Sequence, residues 1–323
     1  MCVLPGKPVG LSHGSSDNLS PYFRGPDKRI LSAPAIADSG QPAFGDLCLG
    51  ASINRFLKND KTILENIRNK SPLIWNFSNF VSMDIAANAL LAVGASPAMA
   101  HAKEEANDFS QICKAINGAL TINIGTFDSY WQECALEAAK KANENNIPWV
   151  LDPVGAGASV FRNKNVEELM KFKPTILRGN GSEIMAVSGI AGGGKGVDST
   201  SSSNEALDAA NSIANENNII VAVTGETDYV TDGKTTYAIS GGHEMMTKVT
   251  ATGCALSCLI GAAIAVGENK LLSTASIISI YGLAGEMAAK VAEGPGSLRM
   301  HLLDNLANLS PSEVSENANI KNV

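Results

Sequence analysis

Short apolar runs alternate with longer amphipathic stretches over most of this chain from Leu73 onward. Four short runs, each followed by Gly, Asp or Arg, predict strands buried on both faces: Ala119–Ile124, Trp149–Leu151, Thr175–Leu177 and Ile219–Thr224. Apolar residues at helical spacing predict helices at Met83–Val93, Tyr130–Asn145, Glu205–Asn217, Cys254–Ala265 and Ser273–Ala292. This alternation predicts an α/β fold whose mainly parallel central sheet is flanked by helices.

The segment 1–56 differs in composition from the rest of the chain. It contains six prolines among many Gly and Ser residues and shows no sustained periodicity, which is typical of a flexible extension. A first helix is predicted from near Asn59-Asp60, with Ile63, Leu64 and Ile67 on its apolar side. The sequence therefore predicts an N-terminal extension (1–56), one folded domain (57–312) and a C-terminal tail (313–323).

Charge and cysteine content narrow the function classes. The 323 residues include 25 Lys+Arg and 32 Asp+Glu, a net charge of -7, and no basic run that would neutralise phosphates. We therefore expect no nucleic-acid partner and no membrane partner. The longest apolar run, Cys254–Val266, is shorter than the ~18–20 residues of a membrane span. Six scattered cysteines and the absence of a secretory signal predict a cytoplasmic protein with free thiols.

The segment Thr252-Gly253-Cys254 leads from a turn of small residues directly into an apolar helix. Backbone N–H groups at a helix start lack internal partners, and the helix dipole adds positive potential, so this segment predicts an anion site suited to phosphate. Gly253 allows a ligand to approach the backbone closely. The same field would lower the pKa of the Cys254 thiol. A buried cysteine on a core helix explains Cys254 equally well.

Polar residues follow the predicted strands, at the edge where parallel sheets place their active sites. Asp152 and Glu183 would hold Mg²⁺ through water molecules, and Arg178 would bind a phosphate, although a structural ion-paired network is the alternative. Thr224 would contact a nucleotide or belong only to a turn. The run Gly192–Gly196 lacks the spacing of a phosphate-binding P-loop and predicts a surface loop. Together the clusters indicate phosphoryl transfer.

Over about residues 60–310 the chain resembles the hydroxyethylthiazole kinases, thiamine-salvage enzymes of the ribokinase-like superfamily. The matching blocks are Pro72-Leu73 with Asn76 and Asn79, Ala87–Ala100, Asn123–Thr126, Asp152-Pro153, Arg178–Asn180, Val223–Glu226 and Thr247–Cys254. The Gly94–Ala100 block combined with Cys254 is specific, because most ribokinase-like enzymes carry Asp at the position of Cys254.

The resemblance implies a three-layer ribokinase-like fold and Mg²⁺-dependent transfer of phosphate from ATP to the primary alcohol of 4-methyl-5-(2-hydroxyethyl)thiazole. It assigns Met99, Asn79 and Ala251 to substrate binding, Arg178 and Thr224 to ATP, Asp152 and Glu183 to the metal, and Gly253 and Cys254 to catalysis. It also implies a homotrimer with active sites at subunit boundaries.

One residue departs from the family pattern, and two alternative functions remain open. The family typically has glycine where this chain has Ala251, whose methyl group would narrow the pocket. A hydroxymethylpyrimidine or pyridoxal kinase, or an ADP-dependent hydrate dehydratase, would be favoured by Asp in place of Cys254. A non-catalytic binding relative would be favoured by loss of Asp152, Glu183 or Arg178, and all three are present.

Overall fold

The computed structural model describes residues 62–191 and 203–323. The extension 1–56, the helix start at Asn59-Asp60 and the loop Gly192–Gly196 lie outside these ranges. The first described helix, α1 (62–70), buries Ile63, Leu64 and Ile67, which confirms the predicted apolar side.

A single sheet forms the centre of the described part of the chain, in the order β2-β1-β3-β4-β5-β6-β7-β8-β9. The strands β1 to β6 pair in parallel, and β7 to β9 extend the sheet with antiparallel pairs. The strands are β1 (Leu73–Phe77), β2 (Ser96–Ala98), β3 (Ala119–Asn123), β4 (Trp149–Asp152), β5 (Ile176–Asn180), β6 (Ile220–Thr224), β7 (Thr227–Thr231), β8 (Thr236–Ser240) and β9 (Ile320–Asn322).

Helices cover both faces of this sheet and confirm a mainly parallel three-layer α/β fold. They are α2 (Met83–Ala92), α3 (Ala106–Ala115), α4 (Ser129–Glu144), α5 (Val160–Met170), α6 (Gly181–Ala191), α7 (Ser203–Asn217), α8 (Thr252–Val266), α9 (Lys270–Ala289), α10 (Pro295–Asn308) and α11 (Pro311–Asn317). One apolar core contains residues of α1, α2 and α8 to α11, and the other contains residues of α3 to α7.

The inner strands separate the two cores by simple alternation. All five residues of β1 are buried, with Ile74 in one core and its neighbour Trp75 in the other. Such strands are apolar throughout because helices cover both faces. The four predicted strands are confirmed. β5 continues beyond the predicted end, because Arg178 to Asn180 pair with β6 despite their polar or small side chains.

Residues 313–323, which the sequence sets apart as a tail, complete the sheet. They include most of α11, whose Val314 is buried, and the edge strand β9, where Ile320 pairs with Ile239 of β8. A short segment of mixed polarity gives little strand signal by itself, and the neighbouring strand supplies its partner. The segment therefore belongs to the folded domain.

Helix α9 is the one helix in the described ranges that is long and apolar enough to cross a membrane. In its most apolar window, 83% of the residues are buried inside the fold. Its residues Ile277, Ile278 and Ala284 belong to the core that α8 and α10 also build. The apolar length of α9 is therefore used in packing against neighbouring helices.

Candidate active site

The polar residues predicted from the sequence meet at the carboxyl edge of the parallel strands. Asp152 ends β4 and lies opposite Asn123 of β3, while Thr224 ends β6 opposite Asn180 of β5. Arg178 lies within β5, between these strand ends. Because the strands are parallel and adjacent, their ends bring these side chains to one edge of the sheet.

A cavity of about 680 Å³ lies at this edge. Arg178, Thr224 and Gly253 line it, which brings the predicted ATP residues together with the start of α8. The other lining residues come mainly from the β6–β7 turn, the segment after β8, and α9. They are Gly225, Glu226, Asp228, Gly241, Gly242, His243, Glu244, Met246, Thr247, Thr252, Leu256, Ile278, Tyr281 and Gly282.

The Arg178 guanidinium lies between β6 and the start of α8. Its Nη2 donates to Thr224 Oγ1 at 2.6 Å, and its Nη1 lies 3.8 Å from Asp152 Oδ2. A Cβ atom at Gly253 would stand 2.8 Å from Nη1 and 3.0 Å from Nη2. The sequence suggests that Gly253 makes room for a ligand, and the structure shows that this glycine makes room for Arg178.

The Asp152 carboxylate is buried and held on one oxygen only. Oδ2 accepts hydrogen bonds from Asn123 Nδ2 and Ser257 Oγ, both at 2.8 Å. Oδ1 is buried and, within the described ranges, has no hydrogen-bond partner. The pKa of Asp152 is raised to about 6, mainly by burial. The charge of Arg178 opposes this shift, and the charge of Glu183 adds to it. An unpartnered buried carboxylate oxygen is costly unless a further group, such as a cation or its water molecule, satisfies it.

Glu183 lies in the first turn of α6 and accepts hydrogen bonds from two backbone amides. Its Oε1 accepts from Gly155 N at 3.0 Å, and its Oε2 accepts from Asn180 N at 2.9 Å. No group of three or more His, Cys, Asp or Glu residues that could hold a metal occurs among the described residues. Two carboxylates with a free oxygen suit Mg²⁺, because that ion keeps several water ligands and takes few from protein.

Cys254 lies in the first turn of α8 and is half-buried. Asn79 Nδ2 donates to its Sγ at 3.6 Å. Burial, followed by the charge of Asp152, raises the pKa of the thiol, while hydrogen bonds from Asn123 and Asn79 and the charge of Arg178 lower it. The direction expected from the helix start is therefore wrong, because loss of hydration and the charge of Asp152 both disfavour the thiolate. The thiol is protonated at neutral pH.

Asn79 and Met99 do not meet in one pocket. Asn79 is buried: its Oδ1 accepts from the backbone N–H groups of Val81 and Ser82 near the start of α2, and its Nδ2 also donates to Asn123 Oδ1 at 2.7 Å. Met99 follows β2 and lines a separate depression of about 280 Å³. The structure thus places Asn79 beside Cys254, and neither residue is among those that line the depression at Met99.

Known proteins resemble this chain over almost all of its described length. The sequence profile of the hydroxyethylthiazole kinase family matches residues 64–312. This chain belongs to the hydroxyethylthiazole kinase family. A hydroxyethylthiazole kinase from Roseobacter denitrificans is 46% identical over 254 residues, 79% of this chain and 97% of the relative. One from Leptospira interrogans is 46% identical over 76% of this chain and 92% of the relative.

Solved structures agree with this assignment of a hydroxyethylthiazole kinase family member. The hydroxyethylthiazole kinase protein from Pyrococcus horikoshii OT3 is 41% identical, with a TM-score of 0.76 over 82% of this chain and 99% of that protein. The pyridoxal kinase from Staphylococcus aureus has a TM-score of 0.55 at 17% identity, over 78% of this chain and 98% of its own. The second likeness shows the shared ribokinase-like fold alone.

Ala251 in this family member adopts a left-handed backbone conformation. Its φ of 64° lies in the region that glycine favours, and its carbonyl oxygen accepts from Ala255 N at the start of α8. A residue with a Cβ atom in this conformation costs roughly 1–2 kcal/mol. The backbone at this position explains why glycine suits it, as the resemblance implies.

Four polar residues near the kinase family site are absent from the set predicted from the sequence: Asn123, Ser257, Asp228 and Arg162. Asn123 and Ser257 both donate hydrogen bonds to Asp152. The sequence signal for Asn123 is its place at a strand end, and the signal for Ser257 is its place one helical turn after Gly253. Asp228 lines the main cavity and accepts from Gly225 N at 2.9 Å. It escapes prediction because the β6–β7 hairpin has little signal of its own.

Asp228→Asn is expected to remove a pH-dependent loss of stability. Burial raises the pKa of Asp228 to about 6, against which the Gly225 N–H and Arg178 act. Because the folded-state pKa is raised, wild-type stability is highest while Asp228 is protonated and falls as pH rises from about 4 to 6. Asparagine retains the acceptor for Gly225 without the charge. In urea unfolding, the free energy of unfolding of the variant relative to that of wild type should rise by up to about 3 kcal/mol between about pH 4 and pH 6.

A constant difference between Asp228→Asn and wild type from pH 4 to pH 7.5 would contradict the prediction. Asp232→Asn is the matched control, since Asp232 lies in the neighbouring β7–β8 turn and likewise accepts backbone N–H groups, from Lys234 and Thr235. A pH-dependent gain in Asp232→Asn equal to that in Asp228→Asn would mean that the effect does not depend on the burial of Asp228.

Proposed function

We propose that this protein transfers the γ-phosphoryl group of ATP to the primary alcohol of 4-methyl-5-(2-hydroxyethyl)thiazole, giving the thiazole phosphate used in thiamine salvage. The observation that carries this proposal is the cavity at the carboxyl edge of the sheet, where Arg178, Thr224 and Gly253 converge beside Asp152. Relatives that are 46% identical carry the name hydroxyethylthiazole kinase.

The nucleotide site is proposed around Arg178 and Thr224. Arg178 supplies a planar set of donors that matches phosphate oxygens, and Thr224 fixes the guanidinium on the cavity wall. The start of α8 adds free backbone N–H groups at Gly253 and Cys254, with the positive end of the helix dipole. Developing charge on the transferred phosphoryl group would be neutralised there.

Asp152 and Glu183 would hold Mg²⁺, mainly through its water molecules. Asp152 contributes the unpartnered Oδ1, while Asn123 and Ser257 keep its other oxygen in place. Glu183 is fixed by the amides of Gly155 and Asn180. When bound, Mg²⁺ supplies positive charge to the ATP phosphates.

The alcohol of the thiazole is proposed to lie beside Cys254. The thiol is protonated at neutral pH because burial raises its pKa, so it orients the alcohol more readily than it removes a proton. A loose phosphoryl-transfer transition state places little demand on a base. Ala251, one turn earlier, and Met99, after β2, would contact the thiazole ring.

Cys254→Ser is expected to lower kcat only modestly, about tenfold, and Cys254→Asp to retain or raise it. General-base help is typically worth ~10²–10⁴-fold, and a protonated thiol contributes at or below the low end. A carboxylate at this position would accept the alcohol proton directly. The measurement is kcat for both variants with hydroxyethylthiazole under saturating ATP and Mg²⁺. A folded Cys254→Asp protein without turnover would show that the thiol contributes only to the shape of the pocket.

A homotrimer is proposed, with each active site completed by a second copy of the chain. Phe80 and Val81, directly after Asn79, are 68% and 58% exposed, and the Phe80 ring packs at a tilted angle against Trp131, with ring centroids 5.0 Å apart. This apolar surface lies near the Met99 depression, where His101 also contacts Trp131. Phe80→Glu is expected to dissociate the trimer, which sedimentation measures, and to raise the KM for the thiazole in a kinase assay. A wild-type protein that sediments as a monomer at micromolar concentration would refute the trimer.

The catalytic domain is inferred to begin near residue 57 and to include residues 313–323, because α11 and β9 pack onto the part that the family profile matches, residues 64–312. A cytoplasmic location is likewise proposed; Cys113, Cys134, Cys254 and Cys258 are free thiols.

The sharpest test of function is a coupled assay with ATP and Mg²⁺ against thiazole, pyrimidine and pyridoxine alcohols. Phosphorylation of the thiazole with the highest kcat/KM supports the proposal. A preference for a pyrimidine or pyridoxine alcohol would favour another kinase of this fold.

A further inference from the structure

Arg162 joins the ends of two strands beneath the candidate active site. It lies in the first turn of α5 and is half-buried. Its Nη1 donates to the carbonyl oxygens of Ile124 at 2.5 Å and Val154 at 2.8 Å, and its Nη2 donates to that of Gly125 at 2.5 Å. Because the guanidinium presents its donors in a rigid plane, these bonds set the relative position of the turns after β3 and β4.

The turn after β4 leads from Arg162 to Glu183. Val154 accepts from Arg162, and the next residue, Gly155, donates its N–H to Glu183 Oε1 at 3.0 Å. Gly155 has a φ of +73°, and a Cβ atom there would stand 3.3 Å from Arg162 Cδ, so the turn lies closely against the arginine side chain. Displacing Arg162 therefore releases the amide that holds Glu183.

The turn after β3 leads from Arg162 to Asp152. Gly125 accepts from Arg162 through its carbonyl oxygen and donates its N–H to Asn123 Oδ1 at 2.9 Å. The other end of the Asn123 amide, Nδ2, donates to Asp152 Oδ2 at 2.8 Å. The same side chain thus connects Arg162, through one turn, to the carboxylate whose Oδ1 has no partner among the described residues.

We propose that Arg162 is a positioning residue for the cation site, which sets the separation of the Asp152 and Glu183 carboxylates through these two turns. Arg162 is absent from the residues that line the main cavity. The inference deepens the proposed function, since the cation at this site is the one that accompanies ATP. It assigns Arg162 a role beyond fold stability, and that difference is measurable.

The test compares Arg162→Ala with Arg68→Ala. Arg68 is a matched control because its guanidinium also donates to three backbone carbonyl oxygens, those of Leu306, Ala307 and Leu309. It lies against Gly94, just before β2, and so at the amino-terminal edge of the sheet. Both variants lose the same kind of interaction, but only one loses it beside the carboxylates.

The primary readout is Mn²⁺ affinity, measured by electron paramagnetic resonance with the full-length protein and the non-hydrolysable analogue AMP-PCP. We expect Arg162→Ala to weaken Mn²⁺ binding about 10–100-fold, the range for residues that orient metal ligands, and Arg68→Ala to leave it unchanged. Hydrogen exchange should accelerate at the amides of Gly125 and Gly155 in Arg162→Ala alone. Millimolar guanidinium should restore part of the lost Mn²⁺ affinity.

Wild-type Mn²⁺ affinity in a folded Arg162→Ala protein would overturn the inference, as would equal losses in the two arginine variants. If Arg162→Ala does not fold, Arg162→Lys takes its place: the cation remains but the planar set of donors is lost, and Mn²⁺ affinity unchanged from wild type would refute the role. A wild-type protein that binds Mn²⁺ with AMP-PCP but does not phosphorylate the thiazole would refute the proposed function and leave the positioning role of Arg162 intact.

Discussion

Replacing Asp152 by asparagine is expected to lower kcat by about 10²–10³-fold while leaving thiazole affinity nearly unchanged. Asparagine can still accept from Asn123 and Ser257 through one oxygen, so the surrounding hydrogen bonds persist. The charge at the buried Oδ1 position is lost, and with it the proposed attraction for Mg²⁺. Steady-state kinetics with varied Mg²⁺ and calorimetry with the thiazole measure the two effects separately.

The thiol of Cys254 provides an internal control for Asp152→Asn. Since the charge of Asp152 raises the pKa of Cys254, the variant should show a lower thiol pKa by titration of its alkylation rate. A lowered thiol pKa in a folded variant shows that the side chain is in place without its charge. Retained kcat and unchanged Mg²⁺ dependence, or loss of thiazole binding, would mean that Asp152 does not serve the metal site.

Gly253→Ala is expected to raise the KM for ATP about 10–100-fold, through Arg178. The added Cβ atom would stand 2.8 Å from Nη1 of Arg178, a residue that is 8% exposed, so the guanidinium must shift away from Thr224. A hydrogen bond to a charged group is worth about 1.5–3 kcal/mol, which sets the expected change. Alanine is the better helix former by about 1 kcal/mol, so lower ATP affinity without loss of stability is the distinguishing result.

A double-mutant cycle shows whether Gly253 acts through Arg178. Adding Gly253→Ala to Arg178→Ala should change the KM for ATP little, because the group that the methyl displaces is already absent. Gly296→Ala, in the first turn of α10, is the matched control, since a Cβ there meets nothing within 4 Å. Additive effects of Gly253→Ala and Arg178→Ala would mean instead that the methyl group blocks the ligand directly.

Sequence patterns predict four of the six parallel strands, β3 to β6, because local chemistry dictates them. The strands β3, β4 and β6 are short apolar runs with polar ends, a pattern that is typical of strands buried on both faces of a sheet. The antiparallel strands β7 to β9 escape prediction because most of their residues are half-buried or exposed and their polarity is mixed. Their strand conformation depends on the neighbour with which each one pairs.

The candidate site divides in the same way. The positions of Asp152, Arg178 and Thr224 after or within parallel strands are sufficient to predict that they meet at one edge. Position along the chain contains no information on which atoms remain unpartnered. Only the packed structure shows that Asp152 keeps Oδ1 free, and that both ends of the Asn79 amide are engaged within the chain.

The sequence by itself therefore determined the layered α/β fold, the edge that carries the polar residues and the family resemblance, because periodicity and strand-end chemistry are local properties. The tertiary structure decided the direction of the Cys254 pKa, since burial and the nearby Asp152 raise it. It also decided what Gly253 accommodates, because Arg178 comes from a strand 75 positions earlier in the chain. Desolvation and steric contact arise between residues distant in sequence, so no local pattern records them.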